Sequence, residues 1–187
     1  NDLVVFADNH DLSRLYSTYN KNLDKVKMAL TYVLTTRGVP SILYGTEILM
    51  EGHEHAGHGK MRQDFPGGWD GDERNAFTKE GRTEKENEIF NHIKTLAEYR
   101  TSNKVMQTGE LTQFIPENGT YVYFRHNQKN TVMVVFNNTD EEKNLKTNRF
   151  KEIMNGYKLG ADVINNEVIT VDNIKLAPRT AKVLELR

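Results

Sequence analysis

The chain has 187 residues, with 25 basic and 26 acidic side chains and a formal net charge of −1. This balance argues against a nucleic-acid or anionic-membrane partner, because such partners need a surplus or a patch of Lys and Arg. Cysteine is absent, so disulfide bonds are excluded; this composition fits the cytoplasm and the periplasm equally. No apolar run approaches the roughly 20 residues that span a bilayer.

The first pattern along the chain is an apolar run followed abruptly by polar residues. Residues 3–7 are apolar, and Asp8, Asn9, His10 and Asp11 come directly after them. An unbroken apolar run of this length predicts a strand buried on both faces. The polar residues then lie where the strand ends.

The next elements complete a β-α-β unit. Apolar residues at helical spacing predict a helix over residues 23–37, closed by Gly38, and a second apolar strand is predicted at residues 39–44. A right-handed crossover makes the two strands parallel, and the carboxyl ends of parallel strands converge on a cleft. We therefore expect a site at the polar residues after the first strand. The alternative is a loop that only caps the next helix.

Two motifs carry a family resemblance. Residues 6–11, Phe-Ala-Asp-Asn-His-Asp, resemble the F-x-[DE]-N-H-D motif of the α-amylase family, glycoside hydrolase family 13. Residues 38–47 resemble the G-x-P-x-[IL]-x-Y-G-x-E segment of the same family. In that family these segments are the seventh and eighth strands of a (β/α)8 barrel. The resemblance implies that residues 1–103 are the C-terminal part of a catalytic barrel, whose other six strands belong to a longer enzyme.

A long glycine-rich loop is expected over roughly residues 48–83. Within it, residues 60–69 resemble the loop after strand eight in the neopullulanase and cyclomaltodextrinase branch, where this loop shapes the substrate cleft. A second amphipathic helix is predicted at residues 84–99 and corresponds, by the resemblance, to the last helix of the barrel.

From Val105 onward the helical period gives way to short β-rich runs at residues 121–124, 131–136, 168–171 and 181–186, separated by turns. This spacing predicts an antiparallel sandwich. The family also carries a C-terminal β-domain, and we place the boundary near residue 103, with the β-domain at 104–187. The predicted fold class is α/β plus all-β: the last two β/α units of a (β/α)8 TIM barrel followed by a C-terminal antiparallel β-sandwich.

The resemblance also assigns site residues. Glycoside hydrolysis needs an acid and a nucleophilic carboxylate, and the family adds a third carboxylate that stabilises the transition state, a role that falls on Asp11. His10 and Asn9 are expected to bind substrate, and Arg62 and Asp64 to grip a sugar. The nucleophile and the acid follow earlier strands in the family, and no position here represents them. The chain alone is therefore expected to be inactive.

Several other residues receive structural interpretations. We expect Glu47 to brace the rim of the barrel and Asp8 to pack beneath the site. Trp69 or Phe65 is a candidate for stacking on a sugar ring, and the competing interpretation is a loop folded on itself.

Three histidines, His53, His55 and His58, lie within six residues of each other. Their spacing in one glycine-rich loop is a poor match to metal-ligand patterns, so no metal site is predicted. No cofactor is expected in this chain. Many relatives in the family bind calcium, but through an earlier domain.

The main functional hypothesis is a retaining α-glucan hydrolase of the neopullulanase or cyclomaltodextrinase type, cleaving α-1,4 and, as an option, α-1,6 links of maltooligosaccharides. A transglycosylating or branching enzyme shares the motifs. A noncatalytic carbohydrate-binding protein would expose the aromatics of the β-domain, and an inactive barrel relative is a third alternative.

The expected partners follow from the main hypothesis. They are the glucan and the missing part of the barrel, because the apolar residues 3–7 and 39–44 should be exposed in the chain alone. Homo-oligomerisation stays open. Localisation stays open between the periplasm and the cytoplasm of a bacterial-type host.

Overall fold

The computed structural model describes residues 3–187, which divide into two compact units. The first, here called the α/β unit, comprises residues 3–33 and Gly38–Lys94. The second, here called the β unit, comprises Leu34–Arg37 and Thr95–Arg187. The first two residues of the predicted barrel segment lie outside the described residues. None of the helices in residues 3–187 is long and apolar enough to cross a membrane.

A parallel strand pair starts the α/β unit. Strand β1 (Val4–Val5) pairs with β2 (Val39–Pro40) in the register Val4 to Val39 and Val5 to Pro40. The parallel pairing confirms the expectation from the β-α-β pattern. Both strands are shorter than the apolar runs that predicted them, because only two residues of each have a regular ladder partner within the described chain.

The strand pair is not buried on both faces. Leu3 exposes 73% of its surface, Val4 60% and Val39 54%. Burial on both faces requires neighbours on each side, and the described residues supply only the one parallel partner. The exposure agrees with the expectation for the chain alone.

Two helices connect the strands. Helix α1 spans Leu15–Thr18, and α2 spans Leu23–Thr35, ending two residues before its predicted end. Gly38 is therefore not the capping glycine of this helix. A glycine is required here for two other reasons: φ is +110°, and a Cβ would lie 2.6 Å from the carbonyl oxygen of Leu3. Gly38 thus permits the close approach of the chain to β1.

The long predicted loop after β2 contains short helical turns. They are 3₁₀ turns at Thr46–Ile48 and Glu54–Ala56 and helix α3 (His58–Met61). Helices of one turn show no hydrophobic period, so the sequence did not reveal them. Helix α4 (Glu84–Ser102) begins where predicted and runs three residues further than residue 99. The core of the unit is formed by Leu15, Val26, Leu30, Leu49 and Ile89.

A half-buried histidine on α4 faces α2. The ring Nε2 of His92 is 2.9 Å from the hydroxyl oxygen of Thr31. Burial lowers the pKa of His92 from 6.5 to about 4, and the nearby charge of Lys27 acts in the same direction. His92 is therefore neutral in the folded protein at pH 7.

The β unit begins with helix α5 (Lys104–Thr108), where the side-chain oxygen of Asn103 accepts the amide of Val105 at 2.9 Å. The prediction that the helical period ends at Val105 was wrong, because this N-cap begins one more helical turn. The predicted domain boundary near residue 103 stays a prediction.

The remaining elements of the β unit are mainly strands. The bounds are β3 Glu110–Gln113, β4 Thr120–His126, β5 Thr131–Asn137, β6 Lys143–Lys146, a 3₁₀ turn Thr147–Phe150, α6 Lys151–Met154, β7 Leu159–Asp162, β8 Glu167–Thr170, β9 Asn173–Leu176 and β10 Thr180–Leu186. Six of these strands form a sheet in the order β3-β4-β5-β10-β7-β8, and β6 pairs with β9; every one of these pairings is antiparallel.

Four strands of the β unit, β4, β5, β8 and β10, match the predicted β-rich runs. The other four are only four residues long and mix polar with apolar residues, which hides them from a periodicity argument.

The aromatic side chains of the β unit are buried or half-buried. Tyr123 and Phe124 are fully buried, and the ring of Tyr121 lies 5.5 Å from that of Tyr123. The hydroxyl of Tyr157 donates a hydrogen bond of 3.0 Å to Thr131. These aromatics therefore do not form the exposed platform that the noncatalytic carbohydrate-binding hypothesis required.

Two buried arginines in the β unit bind main-chain carbonyls. Arg125 donates to the carbonyls of Thr35, Thr36 and Gly109 at 3.1, 2.8 and 3.1 Å. Arg100 donates to those of Leu34 and Thr36 at 2.9 and 3.0 Å. The carbonyls of Leu34, Thr35 and Thr36 lie at the end of α2, where a helix leaves its last acceptors unsatisfied. Burial, with the like charge of Arg100 as a second cause, lowers the pKa of Arg125 to about 10.

Replacing His92 should flatten the pH dependence of stability. Between pH 6.5 and 4 the unfolded chain binds a proton that the folded chain does not, so the free energy of unfolding falls as the pH falls, by about 3 kcal/mol in total. His92→Gln removes this contribution. Urea denaturation at pH 7 and pH 4.5 measures it, with exposed His55→Gln as the control. Equal pH slopes for wild type and His92→Gln would contradict the assignment.

Replacing Arg125 should destabilise the β unit. Arg125→Met leaves the carbonyls of Thr35 and Gly109 buried without this donor, and we expect a loss of about 2 kcal/mol after the relief of repulsion with Arg100. The exposed Arg149→Met, which breaks an ion pair with Glu117, should cost less than about 1 kcal/mol. Urea unfolding of both variants tests this; equal costs would show that the buried carbonyl contacts contribute little.

Candidate active site

The loop after β1 presents two polar side chains to solvent. The side-chain oxygen of Asn9 accepts hydrogen bonds from the amides of Asp11 and Leu12 at 2.8 and 3.1 Å. This local turn fixes the backbone between the strand and α1. The side chains of His10 and Asp11 are 65% and 59% exposed. Asn9 therefore shapes the loop, and the side chains of His10 and Asp11 are available to a ligand.

Asp8 lies beneath this loop. Only 3% of its surface is exposed, and its Oδ2 accepts the amide of Leu15 at 2.9 Å and the hydroxyl of Thr46 at 3.0 Å. The side chain thus joins the end of β1, the start of α1 and the segment after β2. The burial of Asp8 agrees with the expectation that it packs beneath this loop, and the role of the loop as a site stays a prediction.

A second segment, 51 residues further along the chain, reaches Asp11. Nη2 of Arg62 donates to Oδ1 of Asp11 at 2.8 Å, and its Nε donates to the carbonyl of His10 at 3.0 Å. On the other side, Nε2 of His10 lies 3.2 Å from Oδ2 of Asp11. Each oxygen of the carboxylate therefore has its own partner, which orients the group. We call these three residues the Asp11 cluster.

His58 extends the cluster. Its Nδ1 lies 3.2 Å from Nη2 of Arg62. Because a guanidinium has only donors, Nδ1 of His58 is the acceptor and carries no proton in this contact. Within residues 3–187, no three His, Cys, Asp or Glu side chains are grouped so that they could hold a metal ion.

The structure does not bring every candidate of the long loop to the cluster. Asp64 is exposed, and no bond joins it to Asp11 or Arg62 in the part of the chain that the structure describes. Trp69 exposes 69% of its surface. The ring of Phe65 lies 4.4 Å from that of Phe77, so Phe65 packs within its own loop.

Glu47 is half-buried and lines a cavity of about 340 Å³ together with Ile42 and Phe90. Burial raises its pKa, although the positive charge of Arg14 acts against the rise. The carboxylate belongs to the segment after β2 and has no contact with Asp11 in the described residues. The prediction that it braces the rim of a barrel stays a prediction.

Sequence reasoning missed Arg14, which stands three residues after Asp11 and has none of its surface exposed. Its side chain binds main-chain carbonyls of two distant segments. Every residue has a main-chain carbonyl, so the residue type does not indicate which carbonyl accepts a hydrogen bond. The only available signal was an arginine close behind the motif.

Comparisons with known proteins agree with the two-part architecture. The family described as "Alpha amylase, catalytic domain" matches residues 2–109, and "Cyclo-malto-dextrinase C-terminal domain" matches residues 111–185. The first match covers more than half of the chain. The chain belongs to the α-amylase family of glycoside hydrolases.

Curated relatives are similar over most of the chain. The cyclomaltodextrin glucanotransferase of Niallia circulans is 31% identical over 185 residues, which is 95% of this chain and 23% of the relative. An α-amylase of the same organism is 34% identical over 137 residues, or 73% of this chain and 22% of the relative. The chain spans between 16% and 24% of the length of the first curated relatives that it matches.

Solved structures share the fold. An Anoxybacillus α-amylase has a TM-score of 0.75 at 24% identity, covering 99% of this chain and 38% of that one. The α-amylase of Geobacillus thermoleovorans, complexed with acarbose, has a TM-score of 0.74 at 23% identity, covering 100% of this chain and 39% of that one. At these identities the likeness shows the fold.

The bond between Asp8 and Thr46 should stabilise the base of the site. We expect Asp8→Ala to cost about 2 kcal/mol, since the buried amide of Leu15 also loses its acceptor. Combined with Thr46→Val in a double-mutant cycle, it should give a coupling free energy of about 1 kcal/mol. Chemical denaturation of the four proteins measures this. Strict additivity would mean that the two side chains do not interact in solution.

Proposed function

We propose that the chain is the C-terminal part of a retaining α-glucan hydrolase of the neopullulanase or cyclomaltodextrinase type. In this proposal β1 and β2 are the seventh and eighth strands of a (β/α)8 barrel, and residues 104–187 form its β-sandwich domain. Three observations support it: the parallel pairing of β1 with β2, the two family matches in order along the chain, and the short share of each relative that the chain covers.

The observation that carries the proposal is the state of the Asp11 carboxylate. It follows a parallel strand at its carboxyl end, it is exposed, and Arg62 and His10 orient its two oxygens. This is what a carboxylate needs in order to receive a sugar, because the group is both accessible and preorganised. Because Asp11 is the last residue of the Asn-His-Asp motif, we assign it the role of the family's third carboxylate.

The chemistry that Asp11 performs in this proposal is positioning and electrostatic stabilisation. Glycoside cleavage passes through an oxocarbenium-like transition state, in which hydrogen bonds to ring hydroxyls strengthen. The Asp11 carboxylate accepts those hydroxyls, and His10 donates to the same sugar. Arg62, with one edge on Asp11, and Asp64, at the rim of the loop, bind the adjoining sugar of a maltooligosaccharide. Asn9, whose side chain holds the backbone turn of this loop, is the remaining substrate-binding residue of the proposal.

The nucleophile and the acid must come from outside this chain. A retaining enzyme places two carboxyl groups about 5 Å apart across the bond that is cleaved. Glu47 does not take either role in the proposal, because the family's nucleophile and acid follow earlier strands and no position here represents them. The 187-residue chain alone is therefore inactive, and the activity belongs to a longer protein that contains it.

A transglycosylase is the second candidate, and the names of the relatives favour it, because several of them are cyclomaltodextrin glucanotransferases. Hydrolase and transferase share the covalent glycosyl intermediate and differ in whether water or a sugar hydroxyl attacks it. Product analysis separates them. A hydrolase releases linear saccharides that shorten with time, and a glucanotransferase forms cyclic or lengthened products.

Asp11→Asn in the full-length protein should abolish turnover of maltooligosaccharides. The amide keeps the size of the side chain but loses the negative charge, and we expect kcat to fall by about 1,000-fold or more. Initial rates on maltoheptaose measure this. The exposed Asp70→Asn, in the loop after α3 but outside the Asp11 cluster, should retain wild-type rates.

Two results would overturn the proposal. One is maltooligosaccharide turnover by the pure 187-residue chain, which would place a complete catalytic apparatus within it. The other is a full-length Asp11→Asn protein with the same kcat as Asp70→Asn, which would remove Asp11 from the chemistry.

A further inference from the structure

Arg62 is held through the main chain on both of its sides. Nε of Arg14 donates to the carbonyl of Met61 at 2.7 Å. The hydroxyl of Tyr44 donates to the carbonyl of Gln63 at 3.0 Å. These carbonyls belong to the residues directly before and after Arg62. One side chain from each strand-end segment therefore binds the main chain within one residue of Arg62, at the carbonyl before it and at the carbonyl of the residue after it.

The side chain of Arg14 also contacts Tyr44 directly, at both its main chain and its ring. Nη1 of Arg14 donates to the carbonyl of Tyr44, and Cζ of Arg14 lies 4.8 Å from the centre of the Tyr44 ring. A guanidinium over an aromatic face is attracted by the ring quadrupole. We call this pair the Arg14–Tyr44 clamp. It connects the segment after β1, the segment after β2 and the end of α3.

The clamp is anchored to the segment that carries Asp11. Arg14 lies three residues after Asp11, and its own amide donates to the carbonyl of Gly52 at 2.9 Å. The amide of Gly52 in turn donates to the hydroxyl of Ser17 at 2.9 Å. A Cβ on Gly52 would lie 2.7 Å from the carbonyl oxygen of Lys60, so the loop backbone at Gly52 packs directly against α3. The path from Asp11 to Arg62 is therefore short and connected by hydrogen bonds.

Burial gives the Arg14 half of the clamp its rigidity, whereas Tyr44 exposes 44% of its surface. Arg14 and Met61 are both fully buried, and a hydrogen bond to a buried carbonyl is costly to break because water does not replace it. Nη2 of Arg14 is buried as well and has no hydrogen-bond partner in residues 3–187. An apolar side chain of similar volume would avoid that desolvation cost. The presence of an arginine at position 14 is therefore better explained by its effect on the position of the Arg62 segment than by a contribution to stability alone.

We propose that the Arg14–Tyr44 clamp sets the position of Arg62 and, through it, the orientation of the Asp11 carboxylate. Arg14 and Tyr44 are then positioning residues of the site, and neither touches the substrate. The inference rests on the proposed function, since Asp11 must act on a sugar for its orientation to affect the rate. A displacement of about 1 Å at such a group is enough to lower a rate by about 100-fold.

A double-mutant cycle in the full-length protein tests the inference. Arg14→Met and Arg62→Met should each lower kcat/KM for maltoheptaose by about 100-fold. If Arg14 acts through Arg62, then Arg14→Met should change kcat/KM by less than about 3-fold in the Arg62→Met background, because sites that act as one unit are not additive. Tyr44→Phe, which removes only the bond to Gln63, should have a smaller effect in the same direction. A full 100-fold loss in both backgrounds would overturn the inference.

A matched control separates positioning from general destabilisation. Arg125→Met removes another fully buried arginine that binds main-chain carbonyls, but in the β unit. It should lower stability and leave kcat/KM within about 3-fold of wild type at a temperature where the protein stays folded. A loss of activity as large as that of Arg14→Met would mean that the effect of Arg14 is only structural, which would contradict the inference.

Amide hydrogen exchange gives a readout that does not depend on activity. Arg14→Met should raise the exchange of peptides covering residues 57–66 by about tenfold, while peptides from the β unit remain as in wild type. Unchanged exchange at residues 57–66 would overturn the inference. Failure of the proposed function looks different: Asp11→Asn would keep full turnover, while Arg14→Met still raised the exchange of the loop.

Discussion

Two main-chain hydrogen bonds underlie the whole site. The amides of Val39 and Ser41 donate to the carbonyls of Leu3 and Val5, both at 2.8 Å, and thereby align β1 and β2 in parallel. Their carboxyl ends consequently lie at one edge. Asp8 then joins the two strand-end segments through Leu15 and Thr46. The Asp11 cluster and the Arg14–Tyr44 clamp are built on this pairing, because each draws residues from the segment after β1 and the loop after β2.

The sequence predicted this part of the architecture because its physical cause is local. Residues 3–7 and 39–44 are apolar runs, and a helical period lies between them, so a parallel β-α-β unit was the simplest arrangement. The same holds for α4 and for β4, β5, β8 and β10, whose side chains are periodic or strongly β-forming. Asp11 and His10 were found as candidates because a polar cluster follows an apolar strand directly.

The rest was hidden for identifiable reasons. Helix α2 ends at Thr35, and its last carbonyls are bound by Arg100 and Arg125, which lie far along the chain. Helix α5 depends on one capping asparagine. The contact between Arg62 and Asp11 spans 51 residues and includes a main-chain acceptor at His10. The role of Arg14 involves only main-chain acceptors and an aromatic ring, and no residue type identifies those in advance.

The most direct test of the account is a crystal structure of the full-length protein with maltotriose bound. The account predicts that the Asp11 carboxylate accepts hydrogen bonds of about 2.7 Å from hydroxyls of one glucose ring, with His10 on the same ring and Arg62 still joined to the carbonyl of His10. A saccharide seated elsewhere, with Asp11 bound only to Arg62 and His10 and out of reach of any sugar hydroxyl, would contradict it.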